Sequence, residues 1–167
     1  MNTQISIDFR RQEVEGNNII RSVDEAFRLL NLGTSVEIVE LGNNSLSAFY
    51  MLAAINKAMH KVAGLEVPVN TKDKIYVPFV AWKMKDGVEL SCYSQECEVS
   101  QDGSKGKITI GVYDDAKDDF SDLNEPVLLP QISCASKEIA EAIVKLFPEL
   151  VFTFALGNIC DVNVMCY

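Results

Sequence analysis

Asp114, Asp115, Asp118, Asp119, Asp122 and Glu125 form the densest run of side chains able to do chemistry in this chain. They are hard oxygen donors, of the kind Ca²⁺ or Mg²⁺ takes. A divergent hydrolase or nuclease working through a bound metal would need such a set. The run contains no Asp-x-Asp-x-Asp-Gly pattern and no glycine for the sharp turn of an EF-hand. Its other reading is a solvated acidic loop kept extended by like charges. Asp114, Asp115, Asp118, Asp119 and Asp122 are therefore only weak metal candidates, and no resident metal or other cofactor is expected.

The remaining reactive residues are scattered. Structural zinc favours Cys or His in close pairs. Four residues separate Cys92 from Cys97, and five separate Cys160 from Cys166. On a strand, Cys92 and Cys97 face opposite sides unless a bulge intervenes. Small buried hydrophobes are the simpler reading of the cysteines. His60 is the only histidine, and no pattern places a nucleophile or carboxylate beside it. Its expected place is the surface near the end of a long helix, where a cation suits the dipole. Gly42-Asn43-Asn44-Ser45 sits between a strand and a helix, the setting of an anion site. It lacks the lysine and glycine spacing of a phosphate loop. No catalytic set emerges.

The elements that would position these residues follow from periodicity. Ile5, Ile7 and Phe9 alternate as a first strand. Ser22 and Glu25 have capping-box spacing, and a helix carrying Val23, Ala26, Phe27 and Leu30 follows, with Gly33 as its left-handed cap. Val36 to Leu41 reads as a second strand. Ser45 then caps a long helix to about Ala63, with Phe49, Leu52, Ala53, Asn56, Met59 and Val62 at helical spacing and Gly64 at its end. From Ile75 to Asp114 the period is two. Turns at Asp86-Gly87 and Asp102-Gly103 divide this region into a three-stranded antiparallel meander. Pro78 removes a ladder donor, so its strand lies at an edge or carries a bulge. Val127 to Cys134 is a further strand interrupted by Pro130. Ser136 caps a helix to Phe147, which Pro148 breaks or restarts. Val162 and Val164 mark a last strand.

Strands and helices fall mostly in blocks, which points to an α+β fold: an antiparallel meander sheet packed against two or three helices. The length of 167 residues suits one domain, 1–167, with possible sub-lobes at 1–67 and 68–167. Along the Ile75 strand, Tyr76, Pro78 and Trp82 share a face opposite Phe79. If Phe79 faces the core, the other face is free to bind. Tyr76, Pro78 and Trp82 are thus the interface candidates, since aromatics are favoured at contact hot spots, although packing of the long helix against the sheet is the simpler reading of the aromatics.

Charge and composition narrow the partners. The net charge is −9 and the basic residues do not cluster, which argues against nucleic acid. No apolar run is long enough to span a bilayer. The polar start, Met1 to Arg11, does not read as a signal peptide, and the odd cysteine count suits a reducing compartment.

Three segments carry a resemblance. Ala54-Ile55-Asn56-Lys57-Ala58, then Asp73-Lys74-Ile75-Tyr76-Val77-Pro78-Phe79, then Cys134-Ala135-Ser136-Lys137-Glu138-Ile139-Ala140-Glu141-Ala142 resemble a family of small proteins. That family is frequent in bacteriophages and mobile elements of gut Bacteroidota. The resemblance covers about the C-terminal two-thirds. Trp82 stands later than in the family pattern, and the C-terminal helix lacks its Gly-Lys-Gln ending. No functional residues carry over. The resemblance implies a phage or mobile-element origin with a virion or accessory role. Together with the missing catalytic set and the Tyr76, Pro78 and Trp82 face, it leads to the expectation of a non-enzymatic protein acting through protein–protein contacts, in the virion or the host cytoplasm, with itself or other phage proteins as partners. The alternative is a counter-defence protein that inhibits a host factor or sequesters a small molecule.

Overall fold

The computed structural model describes residues 5–33, 45–69, 74–84, 89–101, 104–119, 121, 123–124, 126–157 and 162–166. The expected strand at Val36 to Leu41, the turn before Ser45 and the Asp86-Gly87 hairpin lie outside these.

Strand β1 (Ile5–Phe9) is followed by helix α1 (Val23–Leu29) and the long helix α2 (Ser45–Ala63). Strands β2 (Tyr76–Ala81), β3 (Lys83–Met84), β4 (Ser94–Gln101), β5 (Ser104–Asp114), β6 (Leu123–Asn124) and β7 (Val127–Leu128) come next. A 3-10 turn at Pro130–Ile132 leads into α3 (Lys137–Leu146) and α4 (Pro148–Leu156), and β8 (Val162–Cys166) closes the order.

The helix starts obey their caps. Ser22 Oγ accepts from the Glu25 N–H at 3.1 Å. Glu25 Oε2 reaches back to the Arg21 N–H at 2.8 Å, one residue earlier than a standard capping box. Ser136 Oγ accepts from the Ile139 N–H and fixes the start of α3. At the end of α1 the left-handed residue is Asn31 (φ 56°), with the Leu32 N–H closing onto the Phe27 carbonyl at 2.9 Å. The expected cap, Gly33, also has positive φ but lies two residues further on. Asparagine tolerates the left-handed region well enough to take the role.

The fold is α+β, with a largely antiparallel sheet against helices. The sheet has the order β7-β2-β5-β4-β1-β8, antiparallel throughout except for the β1–β8 pair. Within 75–114 the strand order departs from a simple meander. β5 lies between β4 and β2, so β2 and β4 never pair. β4 also begins later than the sequence suggests, at Ser94. Before it, the Ser91 N–H is held by Asp118 Oδ1 at 2.8 Å, which bends the chain.

Helices cover one face of the sheet. Ile108, Ile110 and Val112 of β5, Cys97 of β4 and Val80 of β2 pack with Leu52, Ile55 and Met59 of α2, Ile143 of α3 and Phe152 of α4. Ile20, Ala26 and Phe27 join the same cluster, so one core spans both sides of the 67/68 division. The buried face of α2 is wider than its apolar stripe, because the helix packs against both α1 and α4. The opposite sheet face holds a second, smaller core of Phe79, Ala81 and Leu123. Phe79 stands opposite Gly111, whose missing side chain makes room for the ring.

Pro78 illustrates the edge rule in modified form. Tyr76 exchanges both backbone bonds with Cys134, and the Pro78 carbonyl accepts from the Leu129 N–H at 2.9 Å. These residues turn their backbone groups away from β5, toward the sheet edge, where β7 is only two residues long. The donor that proline lacks is thus missing on the sparsely paired side.

Candidate functional site

The interface candidates do not form a free face. Pro78 is buried, and Tyr76 and Trp82 are half-buried against the large core. The expectation that Phe79 alone faces inward fails for a physical reason. β2 lies inside the sheet, and both of its faces are covered: one by helices, the other by Leu123 and Leu90. Alternation separates two faces of a strand but does not reveal whether each has a cover.

The weak metal candidates are drawn into the backbone of their own loop. Asp114 is buried, and its Oδ1 accepts from the Ala116 N–H at 3.1 Å. Asp118 accepts from the Asp114 N–H at 2.7 Å and from Ser91. Asp115 Oδ1 accepts from the Ile75 N–H at 3.3 Å. Asp119 Oδ1 accepts from the Ser121 N–H, and these bonds hold its carboxyl below the usual carboxylate range. Asp122 lies outside the described residues. The carboxylates act as turn-forming acceptors. Among the described residues no three Asp, Glu, His or Cys side chains converge as metal ligands.

His60 is not at the surface. It is 1 % exposed, and both ring nitrogens are engaged. Nε2 accepts from the Ala135 N–H at 3.1 Å. Because that partner can only donate, the neutral ring carries its proton on Nδ1, which lies 2.8 Å from the Asn56 carbonyl. Burial pulls the imidazole below its ordinary pKa, against a smaller upward pull from the Asn56 carbonyl. Asn56 is equally occupied. Its Nδ2 donates to the Ser133 carbonyl at 3.1 Å, and its Oδ1 accepts from the Cys134 thiol at 3.5 Å. One turn of α2 thus pins the chain at 133–135, just before α3. Burial pushes the Cys134 thiol far up and so favours its neutral form.

This pin forms the floor of a cleft of about 500 Å³. Ala53, Asn56, Lys57, His60 and Lys61 of α2 line one side of it. Leu65, Glu66 and Val67 line a second, and Gln131 of the 3-10 turn a third. The second wall exists because α2 stops sharply. Gly64 takes φ 69°, and the Leu65 N–H closes onto the His60 carbonyl at 2.9 Å. That left-handed closure turns the chain back beside the helix it has just left. Leu65 remains 43 % exposed, an apolar group at the lip.

The electrostatics of the cleft run against those of the protein. The chain carries −9, yet α2 contains no Asp or Glu in its 19 residues. Lys57 and Lys61 lie one turn apart on the same face. Lys61 Nζ contacts the Leu29 carbonyl at 3.4 Å, whereas Lys57 has no ion pair among the described residues. Glu66 is the only acid in the lining.

Sequence reasoning missed Lys57, Lys61, Leu65 and Gln131. A signal was present for the first three: an acid-free helix in an acidic chain, ending in two lysines at i, i+4 before a Gly-Leu pair. Gln131 carried none, since its place depends on the 3-10 turn packing against α2. No helix among the described residues is long and apolar enough to cross a membrane. No family model, no curated protein and no solved structure matches the chain.

Proposed function

We propose that this is a non-enzymatic accessory protein of a phage or mobile element, which acts by capturing a small molecule in the α2 cleft. The observation that carries this reading is the cleft itself. Its volume of about 500 Å³ falls in the range of small-molecule sites, about 300–1,000 Å³. Its walls are mainly apolar, with a few polar groups at the lip. Its two buried polar floor residues, Asn56 and His60, are already engaged by the backbone at 133–135. A general base must be able to reach a substrate proton, and this imidazole has no free nitrogen to offer.

The same observation favours sequestration over a virion component gripping its neighbours. The face expected to grip, Tyr76, Pro78 and Trp82, is packed against the core. The phage setting rests on the resemblance of the Asn56, Tyr76 and Ser136 segments. Mass spectrometry of purified virions and of soluble lysate from the source system tests the reading. Sequestration expects the protein in the lysate, with a small molecule retained under native ionisation. A fixed, symmetric copy number in the virion refutes it in favour of a structural role.

A further inference from the structure

We propose that the ligand of the α2 cleft is a small amphipathic anion: an apolar body closed by a single carboxylate or a group of similar charge. This deepens the sequestration reading and rests on it. Three features of the cleft select that class.

The first is the sign of the lip. Lys57 and Lys61 face the same opening, and no carboxylate on α2 offsets them. Lys57 has no ion pair among the described residues, so its ammonium is available to a ligand. On a chain of −9 these two charges make a local exception to a repulsive field. The second is the state of the helix end. The last carbonyls of a helix ordinarily repel an anion. Here the His60 carbonyl is engaged by the Leu65 N–H, and the Lys61 carbonyl by the Gly64 N–H at 3.2 Å. The third is the wall. Ala53, Leu65 and Val67, with the methylene stem of Lys57, offer apolar surface beside the ammonium groups. An apolar body seated there places its charged end beside Lys57. Glu66, the one acid in the lining, disfavours a second negative charge and so points to a monoanion.

The test uses two probes of equal length and different charge, sodium octanoate and 1-octanol. Each is titrated into the full chain while backbone amide shifts are followed. The proposal expects octanoate to shift the amides of 53–67 and 131 and to bind more tightly than octanol. Lys57→Glu weakens octanoate roughly two- to fivefold, the range of one exposed ion pair, and weakens octanol, which loses only part of the methylene wall, by less. Lys57→Met weakens octanoate by less, and the amide spectrum of each variant reports whether it is folded. If octanol binds as tightly as octanoate, or if Lys57→Glu leaves octanoate unchanged, the anion class is overturned while the cleft stands as a binding site. If neither probe shifts those amides, both the class and the sequestration reading fall.

Discussion

Protonation of His60 must unfasten the pin between α2 and the start of α3. The neutral ring accepts one hydrogen bond and donates one, and it is fully buried. The imidazolium can only donate, so the Ala135 N–H would lose its acceptor and face a charge instead. Burial already holds the native pKa below the ordinary value, whereas the unfolded ring titrates near 6.5. As pH falls through that value the unfolded state takes up its proton first. The stabilisation is therefore complete above the unfolded pKa and is lost as pH falls toward the native one. A single proton sets the limiting slope at about 1.4 kcal/mol per pH unit. His60 is the only histidine, and Asp119 and Glu138 are held below their ordinary values, so their protonation belongs to lower pH.

The perturbation is His60→Ala, compared with wild type by urea denaturation at pH 8, 7, 6 and 5.5. Trp82, the only tryptophan, is half-buried against the core and reports unfolding by fluorescence. At pH 8 the variant loses about 2–4 kcal/mol, from the orphaned Ala135 N–H and the space left by the ring. The gap narrows as pH drops, because only the wild type still has a histidine to titrate. Parallel stability curves for the two proteins from pH 8 to 5.5 would show that the ring is not the group being strained, and would refute the tautomer and the pin together.

Four further outcomes follow from named contacts. Gly111→Ala places a Cβ 2.7 Å from the Tyr93 carbonyl oxygen and 2.9 Å from Ser94 Cβ in the middle of the sheet. It lowers stability by about 1–3 kcal/mol in the same urea assay. Asp118→Ala removes the acceptor of the Asp114 and Ser91 N–H groups and costs about 1–3 kcal/mol. In the unaltered protein, saturating Ca²⁺, Mg²⁺ or Mn²⁺ leaves Tm unchanged, because those oxygens already serve the turn. A clear rise would place a cation in the loop after all. Ser136→Ala deletes the cap of α3 and costs about 0.5–2 kcal/mol, while Ser136→Asn recovers most of it.

Several local signals in this chain could be read because the physics behind them is local. Ser22 and Ser136 mark helix starts because a side-chain oxygen finds an N–H only three residues away. Gly64 marks an end because its φ of 69° suits glycine. The alternation of Ile5, Ile7 and Phe9, and that of Val162 and Val164, falls on β1 and β8. The block arrangement of strands and helices was enough to place the protein among α+β folds.

What the sequence left open is which surfaces meet. Alternation divides β2 into two faces, but only the packing of helices on one and of Leu123 and Leu90 on the other shows that both are covered. Helical spacing places His60 near the end of α2, but its burial comes from a segment 75 residues away. The aspartates of 114–119 read in one dimension as a solvated acidic loop and only weakly as metal ligands. In three dimensions their oxygens close turns and hold distant N–H groups such as Ser91 and Ile75. The cleft shows the division most plainly. Its lysines and its Gly-Leu turn are written in one short stretch of the chain, while its floor and its third wall arise only when the 130–135 segment folds onto α2. Hydrogen bonds between neighbours in the chain are fixed by spacing. Contacts across the chain depend on which elements compete for the same apolar face, and that competition is settled by the packed core as a whole.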